Sequence, residues 1–155
     1  AGDALAMNRA QLEAAYRRAQ YEVLTPDGPL LLLIDQHSAP LQAVHAQLGV
    51  GESVFLTAWN PHSVPQCAPR NAVTQARLSQ RLAALDLTIW PGWGRDPQGK
   101  WPAEQSLFVA GLTRELAAQL AREFSQNAFV HAAEDAVPRL VWVLPAGTSE
   151  SSPAA

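Results

Sequence analysis

Cysteine is nearly missing from this chain: Cys67 stands alone among 155 residues. A single thiol closes no intrachain disulfide and supplies no zinc quartet, so staples of either kind are excluded. Its neighbours Gln66 and Ala68 bring no activating charge, and the thiol reads as structural rather than reactive. Long apolar runs are absent too. A stretch such as Leu30 to Ile34 falls far short of the roughly 20 residues needed to cross a bilayer, so no membrane partner is expected. Nor is there an excess of positive charge. Eleven Lys and Arg against 14 Asp and Glu leave a net charge of −3, which gives no overall drive toward nucleic acid. The sequence does not open on a basic segment followed by an apolar one, so no secretory leader is expected and the expected location is the cytoplasm. Met7 is a candidate start after Ala1 to Ala6.

What is present is the composition of a globular protein, 48% apolar and 16% charged, in a length that suits one domain with a real core. That domain is expected over 8–144, with a disordered Ser-, Pro- and Ala-rich tail at 145–155. Leu12, Ala15, Tyr16 and Ala19 recur at helical spacing between Asn8 and Ala19. Tyr21 to Thr25 and Leu30 to Asp35 read as strands, and the Asp27-Gly28 pair between them favours a hairpin. Ser38 is a plausible N-cap and Gly49 a stop for a helix whose stripe is Leu41, Val44, His45 and Leu48. The strand Ser53 to Trp59 runs into a loop stiffened by Pro61, Pro65 and Pro69, and Asn71 opens a helix burying Leu78, Leu82 and Leu85.

Leu87 to Trp90 and Ser106 to Gly111 are the arms of a hairpin centred on Asp96-Pro97-Gln98-Gly99, which fits a type I turn. In a regular register Gly94 faces Trp101. Thr113 caps a helix carrying Leu116, Leu120 and Phe124, which ends at Ser125-Gln126-Asn127. The strands Ala128 to Ala132 and Arg139 to Leu144 complete the chain's regular structure. The whole implies an α/β (or α+β) single domain, a mixed sheet with hairpins and about four helices.

Phe55-Leu56-Thr57-Ala58-Trp59-Asn60-Pro61, then Asn71, then Pro91 with Gly94, Trp101-Pro102, Glu104 and Ser106, and finally Phe124 with Gln126-Asn127-Ala128, form an ordered set. It resembles the bacterial domain-of-unknown-function family numbered 3293, over roughly Tyr16 to Trp142. The resemblance implies no activity. It also marks departures: Arg70 stands where the pattern has an acid, and Thr74 and Gln75 where it has a basic and an amide residue.

The residues themselves point to loops at one end of the sheet, where open α/β sheets bind ligands. Asn60 leaves a buried strand and Asn71 begins the next helix, with Arg70 adding positive charge beside a helix N-terminus. Taken singly, each amide reads as a loop tie and each tryptophan as core. Taken together, Trp59, Asn60, Arg70, Asn71, Trp101 and Gln126 form a candidate binding set for a small polar or nucleotide-like ligand. Glu104 is the candidate catalytic acid or base, because an apolar wall beside Trp101-Pro102 would desolvate it. Its plainer role is a surface carboxylate or a partner to Arg95.

The alternative function is a non-catalytic protein-interaction module, or a homodimer, using the Trp90 to Trp101 hairpin. No motif identifies a cofactor. Gly92-Trp93-Gly94 lacks the third glycine of a dinucleotide fingerprint, and His37, His45, His62 and His131 contain no i, i+4 pair for a metal.

Overall fold

Side-chain alternation along one short strand decides the architecture of the computed structural model, which describes residues 7–143. In β3 (Ser53–Leu56), Val54 and Leu56 face one apolar cluster and Phe55 the other. A strand buried on both sides sits between two layers of helix. On the Phe55 side, Tyr21, Val23, Phe108 and Val130 pack under Leu41 of α2 (Ala39–Leu48). On the other, Val54, Leu56, Val109 and Phe129 meet Leu78 and Leu82 of α3 (Ala68–Ala83) and Ala117, Leu120 and Ala121 of α4 (Arg114–Glu123).

The sheet adds β1 (Gln20–Thr25), β2 (Gly28–Leu32), β4 (Thr88–Arg95), β5 (Glu104–Ala110), β6 (Ala128–Ala132) and β7 (Arg139–Trp142), in the order β2-β1-β4-β5-β3-β6-β7. Among the described residues the expected single domain with four α-helices and hairpins is present. The sheet, however, is antiparallel at every pairing rather than mixed. The reason lies in the crossovers. Helices α2, α3 and α4 join β2 to β3, β3 to β4 and β5 to β6, each a pair running the same way. None of these pairs is adjacent: β5 lies between β3 and β4, β3 between β5 and β6, and β1, β4 and β5 between β2 and β3.

Local signals explain most element ends. Helix α1 (Arg9–Arg18) starts on a reciprocal cap in which Asn8 Oδ1 accepts from Gln11 N at 2.8 Å and Gln11 Oε1 from Asn8 N at 2.9 Å. Ser38 caps α2, and Gly49 closes it at φ 69°. Several boundaries differ from expectation, β2 for one ending at Leu32 rather than Asp35, and three of them bear on the site. β3 stops at Leu56 because Thr57 and Ala58 turn their hydrogen bonds to Gln105 and Gln75. Helix α3 begins at Ala68, so Asn71 lies inside its first turn rather than opening it.

Third, β4 runs on to Arg95 and pairs Gly94 with Glu104, not with Trp101. The Asp96 carboxylate collects the N–H groups of Gln98 (3.1 Å) and Lys100 (2.8 Å), so the turn holds more chain than a minimal hairpin. Strand pairing resumes only after Pro102. The tail proposed at 145–155 and the first residues, 1–6, lie outside the described residues. No helix among the described residues is long and apolar enough to cross a membrane.

His45, on the buried stripe of α2, shares a 2.7 Å hydrogen bond with Ser53 through Nε2, while its Nδ1 has no partner. Burial, reinforced by nearby His131, lowers its pKa. Protonation would place a charge and an unsatisfied N–H in the core. The unfolded chain therefore takes up this proton first, and stability falls as pH drops below about 6.5, the ordinary histidine value. His45→Gln keeps a partner for Ser53 and removes the titration. In urea unfolding at pH 7.5 and pH 5.0, the wild type is expected to lose more stability between the two than the variant does. Equal losses would place the acid sensitivity elsewhere.

Candidate functional site

The loop that leaves β3 is held by side-chain amides. Gln75, buried on α3, accepts from the backbone N–H of Ala58 at 2.8 Å through Oε1. One turn back along α3, Asn71 reaches two further residues of the loop, Asn60 and Gln66. Its Oδ1 accepts from Asn60 N (2.8 Å) and Gln66 Nε2 (2.7 Å), and its Nδ2 donates to Asn60 Oδ1 (2.8 Å) and Gln66 O (3.2 Å). This clamp holds Asn60 in the left-handed region at φ 46° and ψ 70°, a conformation asparagine tolerates better than bulkier residues. His62 (φ 56°) and Ser63 (φ 61°) follow in the same region. Three such residues in four positions store strain that the surrounding hydrogen bonds must offset.

The clamp fixes where the Asn60 amide points. Its Nδ2 donates to Glu104 Oε2 at 3.0 Å, across 44 positions of sequence. Glu104 is the first residue of β5, opposite Gly94. Burial pushes the Glu104 carboxyl up to about 7, and the hydrogen bond from Asn60 only partly offsets this. The group is therefore poised to gain or lose a proton near neutrality. Tyr21 stands close by in the same wall. Burial raises its hydroxyl well above the ordinary range, with Tyr16 and Glu104 adding to the effect, and that hydroxyl donates to Tyr16 O at 2.6 Å.

These residues surround a cavity of about 670 Å³. Its walls are the aromatic faces of Phe55, Trp59, Trp101 and Tyr21, and its roof is α1 through Leu12, Ala15 and Tyr16. Helix α1 is tied across the sheet edge: Trp142 Nε1 donates to Glu13 at 3.1 Å, and Arg9 lies 4.0 Å over the Trp142 ring. A polar spot at the roof joins Tyr16, Ser63 and Asn127, with Asn127 Nδ2 donating to Ser63 Oγ at 3.1 Å.

Of the residues singled out from the sequence, Trp59, Asn60, Asn71, Trp101, Glu104 and Gln126 all line this cavity. Gln126 does so while tying the loop, its Nε2 donating to Trp59 O at 3.1 Å. Arg70 does not. It is exposed on α3, and one residue's step around the helix turns it away from the wall that Asn71 enters. Arg95, the plainer partner suggested for Glu104, pairs with Glu22 at 2.7 Å instead.

Tyr16, Tyr21, Ser63 and Gln66 were not singled out. Tyr21 alternates inward on β1, but which strand lies next to Glu104 depends on the sheet order. Among the described residues no three His, Cys, Asp or Glu side chains gather as metal ligands would.

Residues 56–129 match the family described as protein of unknown function (DUF3293). All six of the lining residues named from the sequence fall inside that stretch, whereas α1 and β1 fall outside it. No curated protein matches the chain. No solved structure matches it either.

Proposed function

We propose that the stretch 56–129, which matches DUF3293, builds the polar and aromatic wall of a small-molecule site in which Glu104 exchanges a proton with the ligand. One observation carries this reading: a half-buried carboxyl with a pKa of about 7 lines a cavity of about 670 Å³. A general acid or base works best when its pKa lies near the ambient pH. Asn60 holds Oε2, and among the described residues Oε1 has no hydrogen-bond partner. The aromatic walls suit a planar body, and the amide-carboxyl pair suits a polar group on it, as in a nucleotide-like ligand.

The hairpin tryptophans support this reading better than a docking patch or a homodimer contact. Trp90 and Trp93 are three apart on β4 and so project to opposite faces. Trp90 stacks on Phe108 with centroids 5.6 Å apart, and Trp101 turns to the cavity.

The test uses N-phenyl-1-naphthylamine, an uncharged aromatic dye whose emission rises in apolar sites. It is expected to bind the wild type with one-site saturation, and Trp101→Ala is expected to weaken binding about 10-fold. No saturable binding, or binding indifferent to Trp101→Ala, would sink the proposal.

The same carboxyl has a stability signature. Folding raises its pKa from 4.5 to about 7. Its contribution to stability is therefore full below pH 4.5 and lost as pH rises through 7. Glu104→Gln keeps an acceptor for Asn60 without the charge. The variant is expected to be more stable than the wild type by about 2 kcal/mol at pH 8.5 and indistinguishable from it at pH 4.5 in chemical denaturation. A variant less stable at pH 8.5 would mean that the ionised carboxylate is well solvated.

A further inference from the structure

Two cations stand at the cavity's exposed end. Arg18, at the close of α1, and Lys100, in the β4–β5 turn, both line it. Their acidic neighbour is Asp96, whose side chain is 1% exposed. Both cations help hold the Asp96 carboxyl below its usual range, yet this one charge is hydrogen-bonded elsewhere. Its Oδ1 sits 3.9 Å from Arg18 Nε, beyond hydrogen-bond reach, and its two oxygens already accept from the N–H groups of Gln98 and Lys100. Among the described residues no hydrogen bond or ion pair engages the Lys100 ammonium. Two cations against one committed carboxylate leave this end of the cavity with one unmatched positive charge.

Distance along the hairpin completes the pattern. Gly94 pairs with Glu104, and Asp96 follows two residues later, so the cationic end lies about 7 Å beyond Glu104 along the strand direction. Along this line Trp101 is carried into the lining by the turn, Tyr21 stands at the level of Glu104 through its pairing with Gly94, and Phe55 lies past it against Gly92.

Resting on the small-molecule reading above, we infer that the ligand is a planar amphipathic carboxylate. Its anionic head is held by Arg18 and Lys100, its ring system lies on the aromatic walls, and a hydrogen-bonding group at its far end meets Glu104 and Asn60. A guanidinium with free N–H groups recognises a carboxylate by charge-assisted hydrogen bonds, and Lys100 adds a mobile point charge. The Glu104–Asn60 pair at the other end has a donor and acceptors to offer an alcohol or phenol. A neutral apolar compound would leave both ends unmatched.

The probes are 6-hydroxy-2-naphthoate, its primary amide and 2-naphthoate, titrated calorimetrically at pH 6.0 into the wild type and into Arg18→Gln/Lys100→Gln. Both substituted residues reach solvent, so the double variant is expected to fold, and its urea midpoint checks this. The acid is expected to bind the wild type at least about 10-fold more tightly than the amide, and about 5-fold more tightly than 2-naphthoate. In the double variant the preference for acid over amide should shrink below about 3-fold.

Equal affinities for acid and amide, or a preference that survives in the folded double variant, overturn the inference. N-Phenyl-1-naphthylamine separates the two levels of failure. If the dye binds while the acid shows no preference, only the carboxylate assignment falls. If neither the dye nor any naphthyl compound binds, the small-molecule reading falls with it.

Discussion

Gly92→Val is expected to destabilise the protein by about 5 kcal/mol, and Gly92→Ala by about 3 kcal/mol, measured by urea unfolding at 25 °C. A Cβ placed on Gly92 would lie 2.5 Å from the carbonyl oxygen of Glu22 and 2.8 Å from Phe55 Cε2. The first neighbour is backbone of the adjacent strand and cannot swing aside. The second belongs to a ring set edge-on to Tyr21, with centroids 5.3 Å apart, and both rings wall the cavity. Bare backbone at Gly92 is what lets that ring lie across the strand.

Gly94 is the control. A Cβ there meets Tyr21 at 3.9 Å and Ser106 Oγ at 4.0 Å, which is ordinary contact. Gly94→Ala should therefore cost less than about 1 kcal/mol, the loss of strand freedom being small. If Gly92→Ala proved as mild as Gly94→Ala, the packing of Phe55 against β4 would be wrong.

Asn71→Ala is the second large effect, a loss of about 4 kcal/mol with about 10 °C off the melting temperature. The residue is 2% exposed and makes four hydrogen bonds that tie the loop to α3. Alanine would leave Asn60 N and the Gln66 amide without their acceptor, and Asn60 would lose what holds it at positive φ. Unmade bonds in a half-buried loop cost more than the bonds contribute when made.

Asn71→Asp separates hydrogen bonding from packing. It has the same shape and keeps both acceptor bonds, but it sets a carboxylate oxygen against Asn60 Oδ1 and Gln66 O where the amide donated. It should be nearly as damaging as alanine at pH 7. An aspartate variant with wild-type stability, measured by differential scanning calorimetry, would contradict the clamp. Because Asn60 aims at Glu104, both variants are also expected to weaken dye binding, even at temperatures where they remain folded.

Much of this arrangement was legible before the fold was known. Local chemistry carried the helix caps at Ser38 and Thr113, the glycine stop at Gly49 and the Asp96 turn, since each depends on residues within four or five positions. Asn60, Asn71, Trp101 and Glu104 also stood out in the sequence, as polar and aromatic residues at loop junctions. Three things were not legible.

Strand order depends on which partner fills the gap between two parallel strands, and nothing local to β3 announces that β5 and β6 flank it. Trp101 falls out of the hairpin register because the Asp96 carboxylate binds the N–H groups of Gln98 and Lys100 further on, a choice made by side-chain geometry rather than by turn propensity. The roof formed by Tyr16 is the clearest case. On α1 that residue fits an apolar helical stripe, and its role emerges only when α1 folds over the sheet to meet Ser63 and Asn127.

The measurement that bears most directly on the site is the titration of the Glu104 carboxyl carbon by NMR, with the resonance assigned through Glu104→Gln. A midpoint near 7 is expected, moving further up in Asn60→Ala, because the amide bond favours the charged form. A midpoint near 4.5, the ordinary value, would mean that water reaches the carboxylate freely, and Glu104 could not serve as the proton-exchanging group of this cavity.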